Sequence, residues 1–225
     1  MRGWLSSLVS LLYPPSCAVC GEVLVAGEEF ICTRCRHDLP HDRGEHGDLE
    51  LKFAGACRIT PMYALLRYRR KSPFRLLVLK MKYRGNRKLG VFLGKMIGER
   101  IKGKFAAEMI VPVPLHPKRQ RQRGFNQSAL LASGIAPVVH LPVREDVIRR
   151  VVNNRSQTGL SPGERARNAE RLFEVTAREA LEGKHVMLVD DVVTTGSTIT
   201  DCLRALGSVP GIRVSVVCLS RAGLS

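Results

Sequence analysis

Residues 186–200, V-M-L-V-D-D-V-V-T-T-G-S-T-I-T, constrain this chain more than any other stretch. Val186 to Val189 make a short apolar run, the pattern of a strand buried on both faces. Asp190 and Asp191 sit at its carboxyl end, and Thr194-Thr195-Gly196-Ser197-Thr198 follow after Val192 and Val193. Ile199, Cys202, Leu203 and Leu206 then recur at helical spacing. The pattern predicts a strand, an acidic pair, a phosphate-sized loop and a helix. Backbone N–H groups and hydroxyls in such a loop can face one phosphate at the positive end of the helix. Two carboxylates beside a phosphate repel it unless they meet hydroxyls or a divalent cation. A sugar phosphate with Mg2+ therefore suits the chemistry. The plainer alternative is a pair of solvated aspartates ahead of an ordinary helix cap.

This stretch resembles, over its whole length, the phosphoribosyl-pyrophosphate motif of type I phosphoribosyltransferases. The resemblance implies that Asp190 and Asp191 hold the ribose hydroxyls and serve as the catalytic carboxylates. It implies that Val192, Thr194, Thr195, Gly196, Ser197 and Thr198 form the cradle of the 5'-phosphate, with Mg2+ on the pyrophosphate and ribose oxygens. Some members of that superfamily keep the fold and only bind regulatory ligands, so the motif is more specific for fold and ligand than for catalysis.

Seven cysteines are unevenly spread. Cys17-x-x-Cys20 and Cys32-x-x-Cys35 form two knuckles separated by eleven residues, and Cys57, Cys202 and Cys218 are scattered in apolar contexts. Four thiolates so spaced favour tetrahedral Zn2+ with no open position, a structural site. An iron–sulfur cluster is the competing reading. A secreted disulfide framework does not fit, and the pattern suits a reducing cytoplasm. His37, His41 and His46 lie close by and are expected at the surface.

The formal net charge is +16, a field that attracts nucleic acid, phosphorylated ligands or acidic surfaces. The segment from Glu22 to Glu50 is acidic on balance, whereas Arg67 to Lys104 is densely basic with only Glu99 against it. No apolar run approaches the ~20 residues that span a bilayer. Residues 4–13 look faintly like a signal peptide, but serines interrupt them and no small-x-small cleavage site follows. A short amphipathic helix packed on the protein is the expectation there.

Along the chain, residues 38–50 read as a polar loop and Leu51 to Pro61 as an irregular joint. Tyr63 to Tyr68 reads as a strand, a helix starts near Ser72-Pro73, and Leu89, Phe92, Leu93, Met96 and Ile97 mark one helix face. Met109 to Val113 is a strand ending in the proline-broken loop Pro112 to Arg119, which passes through Arg123 into a helix containing Leu130. Val138 to Val143, Phe173 to Val175 and Arg213 to Leu219 are the remaining strands. Residues 149–168 are polar and charged, with Ser161 and Glu164 placed to cap a helix and the low-apolar part before Ser161 reading as a mobile cover. Strands alternating with helices predict an α/β fold, a mostly parallel sheet flanked by helices. A small zinc-binding module at residues 1–60 would precede the main domain at 61–225.

Four elements in order narrow the resemblance: the paired cysteines, L-K-M-K-Y-R-G at 79–85, V-P-V-P-L-H-P-K-R-Q-R-Q-R-G-F-N-Q at 111–127, and Q-T-G-L-S-P-G-E-R-A-R-N at 157–168. With the phosphoribosyl motif these resemble the ComF/GntX family of phosphoribosyltransferase-like proteins. That resemblance implies a type I phosphoribosyltransferase fold and a pyrophosphate loop at Leu115, His116, Lys118 and Arg119, with Arg123 as a further cation. It implies association with single-stranded DNA handling in natural transformation, and other DNA-uptake proteins as partners. An enzyme of this kind displaces pyrophosphate at ribose C1 with a nitrogen nucleophile, or the reverse. Positioning and leaving-group stabilisation do most of that work. The alternative is a non-catalytic single-stranded nucleic-acid binder or adaptor with a retained nucleotide pocket. Its backbone would run along Lys80, Lys82, Arg84, Arg87 and Lys88, with Tyr83 as the stacking candidate.

Overall fold

The structure is a computed structural model describing residues 14–44, 47–69, 71–82, 86–151 and 172–222. In chain order the elements are α1 (Thr33–His37), α2 (Gly47–Ala54), β1 (Tyr63–Tyr68), α3 (Arg75–Met81), α4 (Arg87–Ile101), β2 (Met109–Pro112), α5 (Pro117–Arg123), α6 (Gln127–Val139), β3 (Ile148–Arg150), β4 (Phe173–Val175), β5 (His185–Val193), α7 (Ser197–Leu206) and β6 (Arg213–Ala222). The N-terminal residues 1–13, and Asn153 to Asn168 with Ser161 and Glu164, lie outside the described residues.

Strands β1, β6, β5 and β2 form one parallel sheet in that order, with Val189 opposite Val217 and Pro112 opposite Val189. Side chains alternate across it, as the period of two requires. Met187, Val189, Val217 and Leu219 face α4 and α6, while Val186, Leu188, Val214 and Val216 face α7 and α2. Each such aliphatic side chain contributes about 1.5–3 kcal/mol on burial. Because both faces are covered, β5 reads as the unbroken apolar run noted above. The phosphoribosyl motif lies at the carboxyl ends of these strands, where open α/β sheets bind ligands.

The knuckle residues do not stand apart from this core. Cys17, Val19, Ile31, Cys35 and Leu39 share a buried cluster with Leu65 and Leu66 of β1, and Phe30 meets Phe92 of α4 at 5.4 Å between ring centroids. His41 bridges Leu66 in antiparallel fashion, so the chain after α1 borders the β1 edge of the sheet.

Four expectations change. Residues 47–54 are a helix rather than a loop and joint. Leu49 and Phe53 sit one turn apart and are fully buried, whereas Leu51 is 79% exposed. Val138 and Val139 belong to α6, not to a strand, and only Val143 bridges Ile110. Pro137 falls in the last turn, where it has no N–H to give the carbonyl of Ser133, and His140 ends the helix in the left-handed conformation at φ 58°. Strands β3 and β4 pair with each other as an antiparallel ribbon outside the main sheet. The helix expected near Ser72-Pro73 starts at Arg75, with Ser72 Oγ accepting from the Phe74 N–H at 3.4 Å.

Candidate functional site

Asp190 is the last buried residue of β5 before the strand emerges, and it is 8% exposed. Its Oδ1 accepts from Asp191 N–H at 2.8 Å and from Ser128 Oγ at 3.1 Å. Ser128 reaches it because Asn126 caps α6. Asn126 Oδ1 accepts from Ser128 N–H at 3.1 Å, and its Nδ2 donates to Val113 O at 3.0 Å. One asparagine thus ties the loop after β2, the start of α6 and the first aspartate together. Asp191 Oδ1 accepts from Val192 N–H at 2.7 Å, and its Oδ2 lies 3.3 Å from Lys82 Nζ.

These groups border a cavity of about 860 Å³. Its described lining includes Asp190, Asp191, Val192, Thr194 and Thr198 from the motif, and Val113 to Leu115 from the loop after β2. Asn126 to Ser128, Tyr68, Val78, Leu79, Lys82 and Arg150 complete much of the wall. Thr194, Thr195, Ser197 and Thr198 are exposed around the start of α7, and Thr195 Oγ1 lies 2.9 Å from Ser197 Oγ. A helix start leaves its first amides without intrahelical acceptors, so these hydroxyls and amides converge where a phosphate would be favoured.

The loop is braced from behind. Gly196 has φ +76°, and a Cβ there would stand 2.9 Å from Phe53 Cε1 and 3.3 Å from Leu49 Cδ2. At the far end of α7, a Cβ on Gly207 would meet Ala56 O at 2.4 Å. The segment from Leu49 to Ala56 therefore presses on both ends of the helix that carries the phosphate-sized loop.

Burial pushes the Asp190 carboxyl up to about 7, helped by the charge of Asp191 and opposed by the Asp191 N–H, Ser128 and Lys82. A carboxyl whose folded value is raised above 3.8 destabilises the ionised fold, increasingly from about pH 4 to about pH 7 and uniformly above. Asp190→Asn keeps an oxygen for both donors and carries no charge. It is expected to raise the melting temperature of the ligand-free protein at pH 8 by ~4–8 °C, on the order of 2 kcal/mol, with the gain gone near pH 4. Thermal melts of both proteins across that range check this.

The other sequence candidates are distributed as follows. Leu115 lines the cavity, His116 caps α5 by accepting from Lys118 N–H at 3.1 Å, and Lys118 is exposed. Arg119 and Arg123 lie on α5, with side chains outside the described ones. Lys80 is half-buried on α3, and Arg87 and Lys88 are exposed at the start of α4, where the Arg87 guanidinium lies 5.6 Å from the Phe125 ring centroid. Tyr83 and Arg84 lie outside the described residues. Lys82, read from sequence as part of a nucleic-acid face, lines the cavity beside Asp191. Ser128 and Arg150 also line the cavity, and no local motif marks them. Arg150 lies over the Phe173 ring at 5.4 Å, and its buried Nε has no hydrogen-bond partner among the described residues. Position in the sequence gives no sign of either role, because packing of α6 brings Ser128 to Asp190 and the β3–β4 ribbon brings Arg150 to the cavity wall.

The four knuckle cysteines form a second site. Their sulfurs all lie within 4.8 Å of one another, and Cys20 Sγ is 3.7 Å from Cys32 Sγ. Tetrahedral Zn2+ with bonds of ~2.3 Å sets sulfurs ~3.8 Å apart, so the group fits zinc. Val19 N–H and Cys32 N–H each donate to Cys17 Sγ at 3.4 Å. Burial raises the Cys17 thiol, but amides of Cys20, Cys32 and Val19 outweigh it and bring it down to about 6. Four ligands from protein leave no position for substrate, so this zinc is structural.

Residues 8–46 match the double zinc ribbon domain family, and residues 126–223 match the phosphoribosyl transferase domain family. The chain is 34% identical over 116 residues to Competence protein F of Haemophilus influenzae, covering 51% of each chain. It is 33% identical over 155 residues to the DNA utilization protein YhgH of Salmonella typhimurium, covering 66% of this chain and 67% of that one. The YhgH protein of Escherichia coli O157:H7 is 28% identical over 231 aligned positions, covering 94% of this chain and 99% of that one. With a zinc ribbon ahead of a phosphoribosyltransferase fold and relatives of these names, the chain belongs to the ComF family of phosphoribosyltransferase-like proteins.

Proposed function

We propose that this protein binds phosphoribosyl pyrophosphate, or a related nucleotide, in the cavity at the carboxyl end of β5, and that it serves single-stranded DNA handling. The observation that carries the ligand is that Asp190, Asp191, Val192, Thr194 and Thr198 line one cavity. In this reading the aspartates accept from ribose hydroxyls and the loop holds the 5'-phosphate. The loop from Leu115 to Arg119 meets the diphosphate, which arrives as its Mg2+ complex. Arg150 lines the same cavity, and among the described residues its Nε–H has no partner, a donor suited to an anionic oxygen. If ribose 5-phosphate is transferred to or from a nitrogen base, Asp190 and Asp191 orient the sugar and favour the positive character that grows at C1. The role in DNA handling rests on what the relatives are called, competence and DNA utilization proteins.

A second reading, a nucleic-acid binder whose cavity holds a terminal phosphate, is favoured by the net charge of +16 and the exposed Arg87 and Lys88. It predicts single-strand binding with steep salt dependence and no release of pyrophosphate.

Calorimetric titration with phosphoribosyl pyrophosphate and Mg2+ tests the first. Binding by the zinc-loaded protein is expected to weaken about 100-fold or more in the Asp190→Asn, Asp191→Asn double variant, which loses two charge-assisted contacts. Equal binding by both proteins, or none by the folded wild type, would sink this reading.

A further inference from the structure

Three of the four oxygens on the cavity's two carboxylates are already engaged. Asp190 is buried and its Oδ1 has two donors; Asp191 Oδ1 has the Val192 N–H, and its Oδ2 faces Lys82. Mg2+ prefers octahedral oxygen ligands and is commonly held through one or two carboxylates. A divalent cation on Asp191 would have to displace the ammonium or stand beside it, two like charges a few ångströms apart inside a cavity wall. The residues present therefore do not fit a Mg2+ held by the protein at the ribose end.

Lys82 is well placed to stay. It is the C-cap of α3, and its N–H donates to Leu79 O and Lys80 O. Met81, Leu77 and Val78 are buried beneath it and dock the helix against the core. The side chains of Lys82 and Asp191 are 30% and 18% exposed, so solvent screens the pair less than it screens a surface pair. We propose that Lys82 is the resident cation of the ribose subsite: paired with Asp191, its ammonium offsets the two aspartates before a ribose phosphate enters, and the subsite binds such a ligand without a divalent cation. The proposal rests on the phosphoribosyl reading above. It assigns any Mg2+ requirement to the ligand's diphosphate and not to the chain.

Ribose 5-phosphate is the probe, since it has the hydroxyls and the phosphate but no diphosphate. It is titrated calorimetrically into zinc-loaded protein, in buffer freed of divalent cations by chelating resin and again with added MgCl2. Wild type is expected to bind equally in both, within about two-fold. Lys82→Met is expected to bind about ten-fold more weakly without Mg2+, because a dianion then faces two aspartates, and to recover most of that loss when Mg2+ takes the vacated place on Asp191. Lys82→Arg keeps the charge and is expected to behave as wild type. Arg150→Met, which removes the other cation of the described lining, is expected to weaken binding by the same factor with and without Mg2+.

Wild-type affinity that rises ten-fold with Mg2+ would overturn the proposal. So would Lys82→Met binding as well as wild type in the resin-treated buffer, a Lys82→Met loss that Mg2+ fails to recover, or Mg2+ dependence created equally by Arg150→Met. Failure of the phosphoribosyl reading looks different: folded wild type then binds neither ribose 5-phosphate nor phosphoribosyl pyrophosphate, whatever the Mg2+ concentration.

Discussion

Stripping the zinc, or replacing Cys17 or Cys35 with Ser, is expected to lower the melting temperature by about 10 °C or more and to open the β1 edge of the sheet. A ribbon tethered by a flexible linker would unfold without consequence for the rest. Here Cys17, Val19, Ile31 and Leu39 share their cluster with Leu65 and Leu66, so losing the metal uncovers one face of β1. Below the ribbon, Asp42 Oδ2 lies 3.1 Å from Arg221 Nε, with side chains 1% and 9% exposed. If residues 40–42 detach, Arg221 is left buried without that partner, a change that costs about 3–5 kcal/mol in comparable settings. Arg221 pairs in register with Val193, two residues beyond Asp191, so the damage reaches the strand that carries the acidic pair. Thermal melts of zinc-loaded and chelated protein, with hydrogen exchange of the Ala64–Arg67 amides, read both effects. One zinc per chain, colourless protein and a large fall in melting temperature are the expected results. A melt within about 2 °C after complete removal would show that the ribbon is an appendage, and visible absorption would restore the iron–sulfur alternative.

What the sequence made legible was contiguous. The strand, acidic pair and loop of residues 186–200 lie next to one another in the chain, and each part depends on local rules: an apolar run, a helix start, a glycine where φ is positive. The two C-x-x-C knuckles are readable for the same reason. What escaped depends on contacts between distant segments. Helix α2 shows only Leu49 and Phe53 as apolar positions on its buried face, with glycine before it and charges around it, too faint a periodicity to separate from a loop. Its importance appears only when Gly196 is found against Phe53. Lys82 reads as one more cation in a basic run, because nothing local tells which lysine turns toward an aspartate over a hundred residues away. Ser128 is hidden in the same way, since the bond to Asp190 depends on where α6 begins.

The placement of α6 leads to the other large effect, at the crossing of α4 and α6. Gly90, Gly94 and Gly98 recur every fourth residue on the face of α4 that meets α6. A Cβ on Gly94 would lie 2.2 Å from Leu131 O, and one on Gly134 would lie 2.0 Å from Val91 O. Those obstacles are backbone, so the helices themselves must separate. Gly90 and Gly98 would instead meet Leu130 Cβ and Val138 Cβ, each at 2.9 Å, atoms that no rotamer moves but that stand farther off than the carbonyls. Alanine also gains about 1 kcal/mol of helix propensity over glycine, and this offsets a small clash but not a large one. Gly94→Ala and Gly134→Ala are therefore each expected to cost at least ~3 kcal/mol, whereas Gly90→Ala and Gly98→Ala, at the larger separation, cost about 1–2 kcal/mol. Gly55→Ala, with nothing within 4 Å of its Cβ, is the neutral control. Chemical denaturation of the five variants measures the differences. Because Ser128 and Asn126 sit at the N-terminal end of α6, the two costly variants should also loosen the Ser128–Asp190 bond and weaken ligand binding beyond what unfolding alone explains. Equal costs at all four helical glycines would show that the crossing yields as readily at its backbone contacts as at its side chains, and that Ser128 is not held by this interface.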